Sequence, residues 1–459
     1  MPLVRPVRGL AYAQDRYGGS AIPARVRMAD EGDTHPGRLA DLSELVAPPY
    51  DVIDEAQCAE LAARDPHNAV HLELPEGPDP HAAAATALEA WQHDGTLARE
   101  AEPRFYYYGH ARTDAPDEPV VHGVLARVLL EPWGSGMRPH EHTMPGPKAD
   151  RLGLLRATRT QLSPILVTYL DRSERYRHVM SRAWSDEWRA RDGDGLLHSL
   201  AAIEPDERMA NFLSRQTLYV ADGHHRYETA LAYQAEVRSD PDWTDAPAGA
   251  LEADWVMAVL VNAELEELEI RPTHRLLLTA DPDALRDVVR DPGPIFTAEP
   301  VPPGELAAAL AARRDGEAAA FGLVLGADDG WLLVAEPDAV AERMRRERTS
   351  TAVRRLDLSL LHAALLDDRL GITPAEVAAG EHLAYTRSEA DALARVRSGE
   401  ARAAILVRPT RLDQLAEVAN AGDVMPQKST YFYPKLLTGM AFHPLGGVEE
   451  HPPTSQEDV

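Results

Sequence analysis

Short apolar runs alternate along this chain with segments of helical spacing, and the alternation predicts a mixed α/β fold. The segments RFYYYGH (104–110) and VVHGVLARVLL (120–130) are typical of two strands joined by an acidic turn. HAAAATALEAWQHDGTL (81–97) has the spacing of a helix that stops at Gly95. The same patterns indicate a helix beginning near Asp54, a strand in NAVHLEL (68–74), buried strands in LSPILVTYL (162–170), QTLYV (216–220) and WVMAVLVN (255–262), and a solvated helix in SERYRHVMSRAWSDEWRARD (173–192).

These elements divide the chain into a core and an appended subdomain. An Ala-rich region that contains the strands AAFGLVLG and GWLLVAE predicts a separate α/β subdomain. The predicted organisation is an N-terminal α/β segment at 1–100 with an exposed insertion at 17–43, a core at 101–279, the subdomain at 280–400, a strand and helix returning to the core at 401–446, and a disordered tail at 447–459.

The stretch LYVADGHHRYETALAY (218–233) carries a dense group of polar side chains where a strand is expected to run into a helix. The start of a helix has backbone N–H groups without intrahelical partners, which makes it a ready site for an anion. Asp222 lies at the expected N-cap position, and Gly223 permits a positive φ or the close approach of a ligand. A well-capped helix is the alternative interpretation. Further donors at this point are His224, His225 and Arg226.

The basic residues are almost all arginines, and the exceptions mark two other segments. Of the 47 lysines and arginines, only Lys148, Lys428 and Lys435 are lysines, in PHEHTMPGPKADR and MPQKSTYFYPKLLTG. An ammonium differs from a guanidinium in geometry and pKa, so these positions are expected to need a compact charge. The Gly-Pro-Lys turn of the first segment leads into a helix with Arg151, which predicts a second phosphate-binding helix start.

The same segments also support a metal-binding interpretation. PHEH supplies His140, Glu141 and His142, and DGHH supplies Asp222, His224 and His225, so the two clusters could form a mixed nitrogen and oxygen site. Neither cluster has the i, i+4 pair of H-E-x-x-H. The spacing therefore gives little support to a cluster of histidines on a metal. Because Mg²⁺ prefers carboxylate and phosphate oxygens, Mg²⁺ held by Asp222 and by substrate phosphates is the favoured metal site.

Charge and cysteine content limit the class of protein. The chain of 459 residues has a formal net charge of −27, which opposes binding to nucleic acid or to an anionic membrane. Cys58 is the only cysteine, which excludes an internal disulfide and fits a reducing compartment. No apolar stretch is long enough to span a bilayer, so we expect a cytoplasmic protein.

Seven segments resemble, in order, the prokaryotic family DUF1015, whose function is unassigned. They are PLVRPVRGL, APPYDVI, PHEHTMPGPKADRL, ATRTQLSPI, LYVADGHHRYETALAY, PTHRLL and MPQKSTYFYPKLLTGM. Within them, VADGHHRYETALAY resembles the nucleotide-binding motif of the ParB/sulfiredoxin superfamily, which includes a free serine kinase that uses ADP. This resemblance implies a ParB/sulfiredoxin-like strand–turn–helix core, with Gly223, His225 and Arg226 at nucleotide phosphates and Asp222 as base or metal ligand. The reactive cysteine of sulfiredoxin corresponds to His224 here, so sulfiredoxin chemistry is not expected.

Together these observations predict a nucleotide-dependent phosphotransferase that acts on a small polar metabolite, with serine or phosphoserine as the first to test. The alternatives are a metal-dependent phosphoester hydrolase and a non-catalytic nucleotide-binding regulatory protein. The expected cofactors are ATP or ADP with Mg²⁺, a homodimer is left open, and Arg226→Ala is expected to abolish nucleotide binding while the fold stays intact. The expected site comprises the catalytic residues Asp222, Glu141 and His224, the phosphate-binding residues Gly223, His225, Arg226, Lys148, Arg151 and Lys428, and the metal ligands Asp222, His140 and His142.

Overall fold

A computed structural model describes residues 1–18, 39–113, 115–141, 145–173, 175, 184–203, 206–313 and 318–447. The chain divides into two compact units. Unit 1 comprises Met1–Pro139, Thr143–Leu268 and Pro434–Val459, and unit 2 comprises His140–His142 and Glu269–Tyr433. Unit 2 thus begins earlier and ends later than the subdomain expected at 280–400.

The described residues form strands and helices in alternation, which gives a mixed α/β protein. The strands are β1 (Val4–Arg5), β2 (Leu10–Tyr12), β3 (Leu39–Asp41), β4 (Leu97–Arg99), β5 (Phe105–Arg112), β6 (Ala115–Leu129), β7 (Met137–Arg138), β8 (Thr160–Gln161), β9 (Ile165–Tyr169), β10 (Trp184–Arg191), β11 (Leu196–Ile203), β12 (Leu218–Asp222), β13 (Trp255–Asn262), β14 (Glu269–Arg271), β15 (His274–Leu277), β16 (Phe296–Pro300), β17 (Ala320–Val324), β18 (Gly330–Ala335), β19 (Leu383–Thr386), β20 (Ala403–Leu406), β21 (Tyr431–Tyr433) and β22 (His443–Pro444). The α-helices are α1 (Gln14–Tyr17), α2 (Glu55–Arg64), α3 (Val70–Glu73), α4 (Pro80–His93), α5 (Pro145–Thr158), α6 (Glu207–Ser214), α7 (His224–Arg238), α8 (Pro282–Arg290), α9 (Leu306–Ala311), α10 (Pro337–Met344), α11 (Thr351–Arg354), α12 (Asp357–Leu360), α13 (Pro374–Ala379), α14 (Glu389–Arg397) and α15 (Leu412–Asn420). Short 3₁₀ turns lie at Tyr50–Val52, Glu252–Asp254 and Pro303–Glu305, and a π-helix at Leu361–Asp367.

Unit 1 is built on a large mixed sheet. Its strand order is β3-β10-β11-β5-β6-β13-β9-β12-β7, and β1 pairs with β6. The pairs β3/β10, β9/β13 and β7/β12 are parallel, and the other neighbours are antiparallel. Every residue of the central strand β13 is buried, which is typical of a strand that is covered on both faces. The core beside it includes Val128, Val167 and Tyr227, so α7 packs directly on this sheet.

Unit 2 is built on an antiparallel sheet with strand order β16-β18-β17-β20-β15-β19. One apolar cluster contains Phe321, Leu333 and Leu365, and a second contains Leu306 and Leu332. Alternate residues of β17 and β18 belong to different clusters, because successive side chains of a strand point to opposite faces. Among the described residues, no helix combines the length and the apolar character that crossing a bilayer requires.

Most of the expected elements agree with the structure. A helix follows Asp54, which caps α2 by accepting from the N–H of Gln57 at 2.8 Å. A second helix, α4, ends just before Gly95, where φ is 76°. The strands predicted at 104–110 and 120–130 are β5 and β6, and they pair as an antiparallel hairpin.

The strand predicted at 68–74 is wrong, because these residues form the helical turn α3. Asn68 explains the difference. Its Nδ2 donates to the carbonyl oxygens of Glu44 and Val46 at 2.7 and 3.2 Å, and its Oδ1 accepts the N–H of Val70 at 2.9 Å. These bonds fix the start of a helical turn and outweigh the alternating pattern.

The helix predicted at 173–192 is wrong in its C-terminal half, which forms β10. That strand lies between β3 and β11, with Trp188 and Ala190 buried. Pairing on both sides therefore overrides the helical propensity of the segment. Of the insertion expected at 17–43, residues 19–38 lie outside the described part of the chain and 39–41 form β3. Residues 448–459 of the expected tail also lie outside it.

Candidate functional site

The candidate site in unit 1 begins with the strand–turn–helix of the DGHHR motif. β12 ends at Asp222, and α7 begins at His224 after Gly223, whose φ is 94°. A Cβ atom at Gly223 would lie 2.7 Å from Cγ2 of Ile165 and 3.0 Å from Nε of Arg226. The backbone angle and the close packing both require glycine here.

Asp222 does not cap α7, so the expected N-cap is corrected. The cap residue is Gly223, and no side-chain cap from the described residues is present. The Asp222 carboxylate instead accepts from Nζ of Lys435 through Oδ1 and from Nη2 of Arg226 through Oδ2, the latter at 2.8 Å. The Asp222 carboxylate therefore binds Lys435 and Arg226, and it does not accept from the backbone N–H groups of α7. The start of α7 keeps the partial positive charge that favours an anion.

The surrounding charges determine how Asp222 titrates. Burial alone would raise the pKa of Asp222, but Lys435, Arg226 and His224 stabilise the charged form and hold this pKa well below its usual range. A general base works best with a pKa near the operating pH. Asp222 is therefore a weak proton acceptor at neutral pH, and this does not fit the role of base that the sequence predicts.

Arg226 anchors α7 to the loop before β9. Its Nη1 donates to Oγ of Ser163 at 3.0 Å and to the carbonyl oxygen of Pro164 at 2.6 Å. Together with the bond to Asp222, these contacts engage both terminal nitrogens of a side chain that is 13% exposed. Arg226→Ala would remove all three bonds, so we expect it to destabilise unit 1 in addition to any effect on nucleotide binding.

A second ion pair lies beside the first turns of α7. Nζ of Lys148 on α5 is 2.9 Å from Oε2 of Glu228, and the two side chains are 38% and 21% exposed. Trp133 packs on Tyr227 with ring centroids 4.2 Å apart and donates from Nε1 to Glu228 at 3.4 Å. Its ring centroid lies 6.3 Å from that of His224. An ammonium and an aromatic ring therefore adjoin the start of the helix, where His225 is half-buried.

Buried hydrogen bonds hold the segment that carries Lys435. The Tyr108 hydroxyl accepts the backbone N–H of Leu437 at 3.1 Å and lies 3.1 Å from Nδ1 of His198. Nε2 of His198 is in turn 2.9 Å from Oδ2 of Asp192. This chain of contacts fixes residues 434–437 against β5 and so positions the Lys435 backbone near Asp222.

Arg151, which the sequence places at phosphates, has a different set of partners. Its Nη1 donates to the carbonyl oxygen of Glu73 at 2.8 Å, and its Nη2 donates to Asp150 at 2.6 Å. The guanidinium carbon lies 4.5 Å from the ring centre of Tyr50. Arg151 thus links α5 to α3 and to the APPYDVI segment.

Unit 2 contains the remaining expected site residues. Oε1 of Glu141 accepts the backbone N–H of Lys428 at 2.8 Å, and Lys428 has a φ of 56°. Burial raises the pKa of Glu141, and Lys428 opposes the shift. Nε2 of His140 lies 2.8 Å from Oγ1 of Thr430. PHEH and MPQKST therefore meet in unit 2, whereas His142 lies outside the described residues.

The donor set of unit 1 does not fit a resident Mg²⁺. Within the ranges that the structure describes, no group of three or more His, Cys, Asp or Glu side chains is placed to hold a metal ion. The carboxylate oxygens of Asp222 accept from Lys435 and Arg226, and Oε2 of Glu228 accepts from Lys148. Ammonium and guanidinium groups therefore occupy the oxygens that a magnesium ion would use.

Sequence analysis singled out Lys435 as a lysine but assigned it no role in the site, and it missed other residues altogether. Lys435 had one usable signal, since it is one of three lysines in an arginine-rich chain. Trp133 and Glu73 belong to no charged motif, and Ser163 is one serine among many, so a single sequence does not distinguish them.

Comparisons with known proteins identify a family and distant structural likenesses. The family model described as "Protein of unknown function (DUF1015)" matches residues 32–359. No curated protein matches the chain at a significant level.

The solved structures that resemble the chain are remote in sequence. A structure of free serine kinase in complex with AMP is 12% identical, covers 67% of this chain and 86% of its own, and has a TM-score of 0.34. A conserved hypothetical protein from Pyrococcus furiosus is 13% identical, with 68% and 93% coverage and a TM-score of 0.33. SbnI with a C-terminal truncation, from Staphylococcus aureus, is 12% identical, with 68% and 85% coverage and a TM-score of 0.35. At TM-scores below 0.5, individual residues are not equated between these proteins and this chain.

Proposed function

Since this chain belongs to the DUF1015 family, whose function is unknown, we propose an activity from the site in unit 1. The protein is a phosphotransferase that binds the phosphates of ATP or ADP at the start of α7 and moves a phosphoryl group to or from a small polar metabolite. The observation that supports this proposal is a glycine-opened helix start flanked by the cations Lys148, Arg226 and Lys435. Phosphoryl transfer depends mainly on charge neutralisation and positioning, which such a site supplies.

The charges around the helix start favour an added anion. Lys148, Arg226 and Lys435 carry three positive charges, and Asp222 and Glu228 carry two negative charges. These three cations lie close to the partial positive charge of the helix start. A nucleotide phosphate is therefore attracted to this point.

The residues divide into those that meet the phosphates and those that hold the site. Gly223 lets the backbone approach a phosphate, and the N–H groups of His224 and His225 are the proposed backbone donors. Lys148 exchanges Glu228 for a phosphate, because a half-exposed pair opens at little cost. Asp222 holds Lys435 and Arg226 in place.

The remaining predicted roles belong to unit 2. Glu141 has a raised pKa, which suits a proton acceptor at neutral pH. Its role as the catalytic proton acceptor stays a prediction. Lys428 stays a predicted phosphate ligand. Serine is the first phosphoryl acceptor to test, and phosphoserine is the first phosphoryl donor. Nucleotide binding without turnover of any metabolite would indicate a regulatory protein.

Lys148→Ala tests the phosphate site, and Arg156→Ala is its matched control. Both cations lie on α5 and pair with a glutamate of α7, since Nε of Arg156 donates to Glu236 at 2.8 Å. Losing a charge-assisted hydrogen bond to phosphate costs about 1.5–3 kcal/mol, or roughly a tenfold to hundredfold loss of affinity. Calorimetric titration with ADP and ATP should show that loss in Lys148→Ala and wild-type affinity in Arg156→Ala. Equal affinities in all three proteins, or no nucleotide binding by the wild type, would remove the proposed phosphate site.

A further inference from the structure

A small cavity lies behind Arg226, between α5, β9 and α7 of unit 1. Its volume is about 60 Å³. Most of its lining is apolar, from side chains such as Leu154, Leu162 and Val256. The polar groups that reach it belong to Glu73, Arg151, Gln161, Ser163, Arg226, Thr229 and the neighbouring Thr160.

Two polar atoms of this lining lack a hydrogen-bond partner in the described structure. They are Oε2 of Glu73 and Oγ1 of Thr229, and both side chains are only 3% exposed. The other carboxylate oxygen of Glu73 has one long contact, 3.4 Å from Nη1 of Arg151. A buried polar atom without a partner destabilises the fold, so a hydrogen-bonding occupant is expected in the cavity.

The cation that contacts Glu73, Arg151, is shared with a second carboxylate. Arg151 is bound through Nε and Nη2 to Asp150, at 3.0 and 2.6 Å. Arg226 is bound to Asp222 at 2.8 Å. Arg151 is thus shared between Asp150 and Glu73. The unpartnered Oε2 of this buried carboxylate favours a positively charged occupant over a neutral one.

The size of the cavity limits the occupant. One water needs about 10–15 Å³ of such volume, so the cavity holds roughly four to six waters or a molecule with about that many heavy atoms. The apolar walls favour an occupant with a short carbon chain.

We infer that this cavity binds a small primary ammonium compound, such as a short amino alcohol or amino acid. Its ammonium group donates to Oε2 of Glu73 and to Oγ1 of Thr229, its carbon chain contacts the leucines, and its polar end lies towards Ser163 and Arg226. The assignment rests on the proposed function only in that this molecule is the small polar metabolite of the transfer reaction. Glu73 and Thr229 select for the positive charge.

The test measures binding without nucleotide. The probes are ethanolamine, glycine, L-alanine and L-serine, with ethylene glycol and propionate as neutral and anionic molecules of similar size. Thermal shift and calorimetry compare the wild type with Glu73→Gln, Thr229→Val and the control Arg156→Ala. At least one ammonium probe should bind the wild type and the control, at least tenfold more weakly to Glu73→Gln and several-fold more weakly to Thr229→Val.

Three results would overturn the inference. They are no binding of any ammonium probe, equal binding of ethylene glycol or propionate, and unchanged affinity in both variants. Each would show that Glu73 and Thr229 do not bind an ammonium group in this cavity. Thr229→Val keeps the shape of the side chain and serves if Glu73→Gln does not fold. Nucleotide binding is measured separately with Lys148→Ala. Amine binding without nucleotide binding would refute the proposed function and leave this assignment standing. Nucleotide binding without amine binding would refute this assignment alone.

Discussion

Replacing Lys435 by methionine should destabilise unit 1, because it leaves the Asp222 carboxylate short of a cation in a poorly solvated place. The two side chains are only 11% and 19% exposed. Methionine keeps most of the length of the lysine side chain, so the substitution removes the charge with little change in packing. The pKa of Asp222 should also rise towards its ordinary value, since Lys435 is the strongest of the groups that oppose its desolvation.

The expected loss of stability follows from the cation that remains beside Asp222. Removing one member of a buried ion pair destabilises a protein by about 3–5 kcal/mol, because the other charge stays buried. Asp222 keeps Arg226 at 2.8 Å, an attraction of about 6 kcal/mol before desolvation at an effective dielectric constant near 20. The remaining cation lowers the penalty, and we expect the free energy of unfolding to fall by about 2–3 kcal/mol.

Urea unfolding followed by tryptophan fluorescence measures this loss. Six of the seven tryptophans lie in unit 1, so the signal reports mainly on that unit. Arg156→Ala breaks an exposed pair and should leave the urea midpoint close to that of the wild type. The double variant Lys435→Met with Asp222→Asn should lose less than the sum of the single variants, with a coupling of about 1–3 kcal/mol. A loss below about 0.5 kcal/mol for Lys435→Met, or strict additivity in the cycle, would refute the role assigned to this pair.

Two further predictions concern a backbone position and a buried histidine. Gly223→Ala should lower the free energy of unfolding by about 2–3 kcal/mol, because φ is 94° and the new Cβ would lie 2.7 Å from Cγ2 of Ile165; a urea midpoint equal to that of the wild type would contradict this strain. Burial, together with the charges of Arg127 and Arg99, lowers the pKa of His443 to about 3. Between pH 6.5 and 3 the unfolded chain therefore binds a proton at His443 that the folded chain does not bind. Stability should therefore be lost as pH falls below 6.5, with about 2 kcal/mol from His443 at pH 5. His443→Gln should reduce this loss in urea titrations at pH 8 and pH 5, and an identical pH dependence in both proteins would show that His443 does not cause it.

The sequence allowed the strand, glycine turn and helix at 218–238 to be predicted because each local signal agrees with the final structure. Apolar residues run up to Ala221, a glycine follows, and a helical pattern begins after it. What could not be predicted is the partner of Asp222. An aspartate before a helix is a good N-cap in isolation, and only the fold brings Lys435 and Arg226 close enough to compete with the backbone.

The same reasoning explains why α3 was predicted as a strand. The alternation of apolar residues at 68–74 is a local signal, whereas the bonds that Asn68 makes to residues 44 and 46 are not visible in the spacing. Glu73 lies at the end of this turn, so its burial was also hidden. The ParB/sulfiredoxin-like core stays a prediction.

Arg226 contacts both proposed binding sites in unit 1. One side of its guanidinium binds Asp222, beside the start of α7, and the same side chain lines the cavity that contains Glu73. Its bonds to Ser163 and Pro164 prevent it from moving freely towards either ligand. In the proposed reaction, Arg226 would help to neutralise a phosphate at the start of α7 while it stays bound to Ser163 and Pro164. Positioning and charge neutralisation are what phosphoryl transfer mainly depends on.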